Sequence, residues 1–556
     1  MSNSTADDLI FLPLGGAGEI GMNLNLYGLG PAGDEQWIMV DLGVTFNDGT
    51  MPGVDLITPD PAFIEARRDK LLGLVLTHAH EDHLGAVPYL WTRLKCPIYA
   101  TPFTASILKA KLIEADLLDQ VEVNIIALSG SFTIGPFDFE LITLTHSIPE
   151  PNAVVIRTAL GTILHTGDWK FDPNPVTGAT SDIDALRRLG DEGVLAIVCD
   201  STNVFNPGES GSEADLLENL TAAIGECDGK VAVACFASNV ARLETVSAAA
   251  RANGRDVVSA GRSLKRIERA ARENGYLADT PSFIDQEDAG YLPDQNILVI
   301  CTGSQGEPRA ALSRIAAGDH PTITMGEGDT VIFSSRMIPG NEVSIGRLHN
   351  RLIRRGVRIV TPNDRFIHVS GHPARDELVE MYQLVRPQIS VPVHGELRHL
   401  REHARLALEC QVETAVVTEN GGMVRLAPGR AEVIDHVPTG RLSQEGNRMV
   451  SIDSEIHKSR VRAMWHGTAT MTIAIDADGN LVAPPQVTTT GLFETEKDPL
   501  LVEACDVARR AAKKASPSDR RDDKRVAEVV RIAVRRHFRH SLDKKPVTTI
   551  HVVRVN

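Results

Sequence analysis

At 556 residues the chain is too long for one compact core, and about three domains are expected. Its 42% hydrophobic and 23% charged content is that of an ordinary globular protein. No apolar stretch is long enough to span a bilayer and the start, Met1 to Asp8, lacks the basic region and apolar core of a signal peptide, so no membrane and a cytoplasmic location are expected. The net charge of -16 argues against a uniformly basic surface for polyanions, and seven scattered cysteines without a C-x-x-C pair exclude a disulfide frame or a thiolate metal site. Charge is unevenly spread: residues 501–545 hold 14 Lys or Arg against 7 Asp or Glu, and a second Arg-rich stretch runs from Arg242 to Arg272. Either stretch reads equally as a phosphate-tracking surface or as a solvated helix face.

Taken in chain order, the first predicted strand covers Ile10 to Leu14 and runs into Gly16-Ala17-Gly18-Glu19-Ile20-Gly21, a written G-x-G-x-x-G. That fingerprint needs a helix whose N-terminus meets a pyrophosphate. Met22 to Tyr27 instead alternates apolar and polar residues before Trp37 to Asp41, which predicts strands and argues against a dinucleotide site. A strand ending at Thr77 then delivers His78-Ala79-His80-Glu81-Asp82-His83, four strong metal-binding side chains within six residues. Imidazole with carboxylate suits zinc or manganese, and alternate residues of an extended segment share a face, so the run aims side chains into one pocket.

Helix is predicted over 105–115 and 183–189, and strand over 163–166 and 195–200. His146, Asp168 and His394 each end a short apolar run, as further ligands from other strands would. From about 208 to 350 a separate α/β pattern alternates helices at 213–224, 240–252 and 264–274 with strands at 231–235, 256–260, 297–301 and 330–334. Phe236-Ala237-Ser238-Asn239 follows a strand and opens a helix there, so the hydroxyl, amide and backbone N–H groups of Ala237, Ser238 and Asn239 form a candidate anion site, with Ser238 equally readable as a plain helix cap. Beyond 440, short strands over 468–492, helices over 500–515 and 524–540, and a strand over 547–555 predict a small α+β module.

The histidine run, together with Gly15 to Asn23, Thr302-Gly303-Ser304-Gln305-Gly306-Glu307-Pro308 and Ile338-Pro339-Gly340-Asn341-Glu342, resembles the metallo-β-lactamase hydrolases and, within them, the β-CASP nucleases, most closely bacterial ribonuclease J, over residues 9–440. The resemblance implies an α/β protein: an αββα sandwich built from 1–207 and 353–440, a β-CASP α/β domain inserted at 208–352, a linker at 441–465 and a C-terminal α+β domain at 466–556. It implies two divalent cations, zinc first, with manganese or magnesium as alternatives. One would be held by His78, His80 and His146 and the other by Asp82, His83 and His394, with Asp168 bridging and Asp41 orienting the ligands. Asp82 would accept a proton from the attacking water, His368 would protonate the leaving 3'-oxygen or hold phosphate, and Asp200 would orient His368. The loop His368, Val369, Ser370, Gly371 and His372 resembles the family's phosphate-gripping segment. The expected activity is a 5'-to-3' exoribonuclease preferring 5'-monophosphate ends of single-stranded RNA, with endonuclease activity besides, in RNA maturation and decay. A homodimer or homotetramer and RNA-decay complex partners are expected with it. The alternatives are a mainly endonucleolytic RNA-processing enzyme and a non-catalytic RNA-binding subunit.

Overall fold

The computed structural model describes residues 7–47, 49–338 and 340–555. The signal-peptide reading at residues 1–6 and the family motif at Pro339 fall outside them. The chain divides into two compact units, one of Met1–Phe46 and Leu56–Leu442, the other of Asn47–Asp55 and Ser443–Asn556.

The first unit is built on two sheets. Strands Asp7–Gly15, Leu24–Pro31 and Gln36–Val40 pair in antiparallel order, with Phe11 opposite Tyr27 and Tyr27 opposite Ile38. Strand, not helix, therefore follows the glycine-rich segment, as the alternation predicts. Leu71–Val75 then joins in parallel beside Gln36–Val40, and the late strand Gly422–Ala427 closes on the other side of Asp7–Gly15. The second sheet carries Phe137–Thr143, Asn152–Thr158 and Gly161–His165 in antiparallel order, then Ala196–Asp200 and Ile389–Val393 in parallel. Apolar residues of both sheets, among them Phe11, Val40, Phe139, Val198 and Val391, form one buried cluster. The outer face of the second sheet packs Leu164 and Ile197 against Leu186, Leu378 and Met381 of the helices Ile183–Glu192 and Arg375–Val385. This is the expected sandwich, and its core rests on strands that the chain contributes nearly two hundred residues apart.

The inserted domain is a six-stranded all-parallel sheet whose strands read as near-continuous apolar runs because both faces are covered. Its strand order is Ile284–Asp285, Asp256–Ala260, Ile297–Cys301, Val231–Ala234, Thr330–Phe333 and Arg358–Val360. The expected return to the sandwich at 353 is thus too early: Arg358–Val360 pairs with Thr330–Phe333, Val360 beside Ile332, so the insert keeps that strand. Two of the arginines in its Arg-rich stretch are not surface charge at all. Arg242 is fully buried in an ion pair with Glu213, and Arg255 is buried against the carbonyls of Cys227, Gly229 and Ile297.

The stretch 441–465 was expected to be a linker, but it holds strands Arg441–Glu445 and Arg448–Ser451 and helix Glu455–His466. The order comes from side chains rather than periodicity: Arg460 forks onto Glu445, and His457 Nε2 lies 2.7 Å from Ser443 Oγ. In the second unit, strand Thr468–Ile475 pairs in parallel with Val547–Arg554 and antiparallel with Gln486–Thr490. Its alternate residues Ala469, Met471, Ile473 and Ile475 pack on Val526, Val530, Val534 and Phe538 of helix Asp523–Leu542, whose four-residue spacing keeps them on one face. Truncating the fully buried ring, Phe538→Ala, is expected to destabilise this unit by about 3–5 kcal/mol, read in thermal unfolding as an early transition in the variant.

Candidate metal centre

Parallel strands place the ligand loops. Because Gln36–Val40 and Leu71–Val75 run side by side, with the Asp41 N–H donating to Val75 O at 3.0 Å, Asp41 lies next to the loop that opens at Thr77. Asp41 has φ +65°, a left-handed conformation that an aspartate tolerates, and turns its carboxylate inward. The Thr77 N–H donates to Asp41 Oδ1 at 2.8 Å, while Thr77 Oγ1 and His83 Nδ1 donate to Asp41 Oδ2 at 2.8 and 2.7 Å. With Nδ1 so engaged, the Nε2 of His83 faces the cluster, and Thr77 Oγ1, 3.0 Å from His78 Nδ1, orients that ring likewise.

On the second sheet, Gly161–His165, Ala196–Asp200 and Ile389–Val393 end together, which brings Asp168, Asp200 and His394 side by side. Donor atoms of three sets lie within 4.8 Å of one another: His78, His80, His146 and Asp168; Asp82, His83, Asp168 and His394; and Asp168, Asp200, His372 and His394. All seven predicted ligands are therefore gathered, and Asp168 belongs to every set. His78 Nε2 and His146 Nε2 lie 3.0 and 3.1 Å from His80 Nδ1, a convergence of imidazole nitrogens. Asp168 Oδ2 lies 3.2 Å from His83 Nε2, whereas Asp168 Oδ1 is buried with no hydrogen-bond partner among the described residues.

Burial, aided by neighbouring imidazoles, holds His78 and His146 well below the usual histidine range, and burial takes His80 down to about 4 against the pull of Asp82 and Asp168. Neutral imidazole is the ligating form. Burial disfavours charge on His83 and His394 too, but Asp168 with the other nearby carboxylates outweighs it and raises both. The carboxyl of Asp168, conversely, is held well below its ordinary range by His394, His83 and His372 despite burial. A buried oxygen without a partner, among neutral nitrogens and ionised carboxylates and with no thiolate, fits a divalent cation of borderline hardness.

The two phosphate-loop candidates come from different parts of the fold, 237–239 from the insert after strand Val231–Ala234 and 368–372 from the stretch between strand Arg358–Val360 and helix Arg375–Val385. Gly371 O accepts from His146 Nδ1, and a Cβ at Gly371 would come within 2.8 Å of the His146 ring, so only glycine lets the loop approach so closely. Ser370 Oγ accepts from Asn203 Nδ2 at 2.8 Å and from the His372 N–H at 3.1 Å, and Val369 is buried. The partner of Asp200 is corrected: its Oδ2 lies 2.7 Å from His372 Nδ1, so Asp200 orients His372 and not His368. His368 Nδ1 lies instead 3.5 Å from Arg242 Nη1. The spacing of the two histidines, four residues apart in one loop, gave no means of telling them apart.

Within Ala237, Ser238 and Asn239, the cap role belongs to Asn239, whose Oδ1 accepts from the Arg242 N–H at 2.9 Å, which leaves the Ser238 hydroxyl outside the cap. Sequence reasoning missed Thr202, whose Oγ1 donates to Asp200 Oδ1 at 2.7 Å and lies 2.9 Å from His394 Nδ1. It also missed Asn203 and Arg336, joined at 2.9 Å, and the buried Lys170, 2.9 Å from Asp172. Of these only Thr202, two residues after the strand-ending Asp200, carries a positional signal in the sequence.

Family models match along most of the chain: the metallo-beta-lactamase superfamily over 26–216, the ribonuclease J beta-CASP domain over 228–352, the Zn-dependent metallo-hydrolase RNA specificity domain over 356–417 and the ribonuclease J C-terminal domain over 442–555. The chain is 44% identical to a ribonuclease J of Sinorhizobium meliloti, covering 99% of this chain and 98% of that one. It is 38% identical to a ribonuclease J of Mycolicibacterium smegmatis over 98% and 96%, and 31% identical to ribonuclease J2 of Bacillus subtilis over 98% and 99%. Among solved structures, a protein of unknown function from Enterococcus faecalis shares the fold at a TM-score of 0.52 and 16% identity, covering 76% of this chain and all of that one.

Because ligation requires His83 and His394 to give up protons that their carboxylate neighbours stabilise, cation uptake by the metal-free chain is expected to release protons. Affinity should rise with pH, and calorimetry in buffers of different ionisation enthalpy measures the release. Asp168→Asn, which removes the charge common to all three sets, is expected to abolish stoichiometric cation binding by the same titration.

Proposed function

The chain belongs to the ribonuclease J family and is a metal-dependent ribonuclease, and on that premise we propose that it shortens single-stranded RNA from 5'-monophosphate ends in the 5'-to-3' direction and also cuts internally. The observation that carries this reading is the position of Asp168, the one carboxylate shared by all three donor sets, with the 368–372 loop closing directly onto its neighbour His146.

Two divalent cations, zinc first, would be held by His78, His80 and His146 and by Asp82, His83 and His394, with Asp168 between them. Such a pair supplies charge to polarise water and to clamp the attacking and leaving oxygens of a phosphodiester. The chain's own residues handle the protons. Asp82, whose side chain is 31% exposed while Asp168 is 3%, is the carboxylate open to solvent and accepts the proton of the attacking water. His372 is the proton donor: burial lowers its basicity, yet Asp200 and Asp168 raise it above the ordinary value. With Nδ1 bound to Asp200, its Nε2–H is left to protonate the departing 3'-oxygen. The terminal phosphate is bound by the Ser238 hydroxyl and by the loop of His368 and Ser370, near the Arg336 guanidinium. The same reading makes the protein a cytoplasmic homodimer or homotetramer that works with RNA-decay partners; no helix among the described residues is long and apolar enough to cross a membrane.

The test compares RNAs of one sequence bearing 5'-monophosphate, 5'-triphosphate or 5'-hydroxyl. Faster release of mononucleotides from the monophosphate is expected, and equal rates on all three would overturn the end preference. His372→Ala is expected to lower kcat by about 10²–10⁴, whereas His368→Ala should act chiefly on the advantage of the monophosphate substrate. The reverse pattern would return the proton-donor role to His368.

A further inference from the structure

Arg242 is a fully buried arginine of the inserted domain for which the chemistry above has no use. Its guanidinium bonds two distant parts of the chain and lies against a third. Nε and Nη2 fork onto Glu213 at 2.5 and 2.9 Å, and Nη1 donates to Ser334 O at 2.6 Å and Ser334 Oγ at 2.7 Å, with His368 Nδ1 at 3.5 Å. Ser334 Oγ in turn donates to Ile367 O at 2.7 Å, directly beside His368. The backbone N–H of the same arginine is held by Asn239, the last residue of the 237–239 segment. One residue therefore references both candidate phosphate loops to a common point, that of the insert through its backbone N–H and that of the sandwich through its guanidinium.

The contact to His368 also decides its chemistry. A guanidinium offers only donors, so its cation facing Nδ1 at 3.5 Å disfavours a proton on that nitrogen and favours the tautomer with the ring proton on Nε2. Burial, then the charges of Arg242, Arg336 and Lys170, take His368 down to about 3, so the ring is neutral at any physiological pH. A neutral ring with a fixed Nε2–H donates a hydrogen bond to an anion but does not deliver a proton, in keeping with its separation from Asp200. The Glu213 carboxylate, itself buried, balances the Arg242 charge, so this arginine acts through geometry rather than as an extra cation.

We infer that Arg242 is a positioning residue for end recognition: it fixes the His368 tautomer and the spacing of the Ser238 and His368 loops, and so sets the discrimination between a 5'-monophosphate and a 5'-hydroxyl RNA. The inference rests on the 5'-monophosphate preference proposed above.

The full chain, loaded with Zn2+ or Mn2+, is assayed on RNAs differing only in 5'-monophosphate or 5'-hydroxyl, and the ratio of the two kcat/KM values is read at pH 6 to 8. Arg242→Lys keeps a buried cation for Glu213 but loses the fork, and is expected to lower the ratio by about tenfold while turnover of the hydroxyl RNA falls by less. A residue that merely supports the fold would lower both alike. Because burial leads the depression of His368 and Arg242→Lys keeps a cation beside it, the ratio in that variant is expected to fall without a change in its pH profile. His368→Gln is the second variant, expected to lose the ratio even where Arg242→Lys folds poorly. A parent with a clear preference, and variants that keep it, overturn the role of Arg242 alone. A parent with no preference overturns the end-recognition reading and this inference with it.

Discussion

Asp168 lies buried with one oxygen 3.2 Å from His83 and the other without a hydrogen-bond partner, and four imidazoles besides that of His83 surround it. Withdrawing a carboxylate from water costs several kcal/mol unless opposite charge and hydrogen bonds repay it. His394, His83 and His372, beside which its carboxyl is held well below the ordinary range, offset that cost in the metal-free chain, and a divalent cation would do so when bound. The outer contacts follow from the same requirement. Asp41 holds His83, Thr202 links His394 to Asp200, and Asp200 holds His372, so the outward ring nitrogens of His83, His394 and His372 each have a fixed partner.

Those partners exist only if the strand registers are correct. A slip of one residue between Gln36–Val40 and Leu71–Val75 would part Asp41 from Thr77, and a slip between Ala196–Asp200 and Ile389–Val393 would part Asp200 from His394. The apolar core between the sheets enforces both registers, which is why residues as remote as Phe139 and Val391 bear on metal ligation. Close approach adds a second demand. A Cβ at Gly43 would lie 1.7 Å from Asp82 O, and one at Gly371 would meet the His146 ring, so the loops touch where no side chain fits.

The centre is completed late in the chain. His372 and His394 arrive after the insert, and Arg242 within the insert grips the segment that carries His368. In the proposed function, catalytic and end-recognition chemistry share one continuous stretch, 368–372, contacted from the sandwich by His146, Asp200 and Asn203 and from the insert by Arg242.

The ligand set was legible because ligand chemistry depends on residue type and because each ligand ends an apolar strand, a pattern visible without coordinates in His78 to His83, Asp168 and His394. The glycine-rich start was also decided by the period-two alternation after Gly21, which a helix could not satisfy. Identity and local periodicity therefore determined the strands, the separate α/β pattern at 208–350, the α+β module beyond 440 and the candidate ligands, while the family resemblance supplied the sandwich, the insert and the sharing of ligands between two cations. The choice between His368 and His372 as the partner of Asp200, the burial of Arg242 and Arg255 within an apparently exposed basic stretch, the assignment of Arg358–Val360 to the insert and the ordering of 441–465 were decided by tertiary structure alone. Each turns on which side chain meets which across a long sequence separation, and such a meeting is set by register and packing, quantities that no local pattern of residues contains.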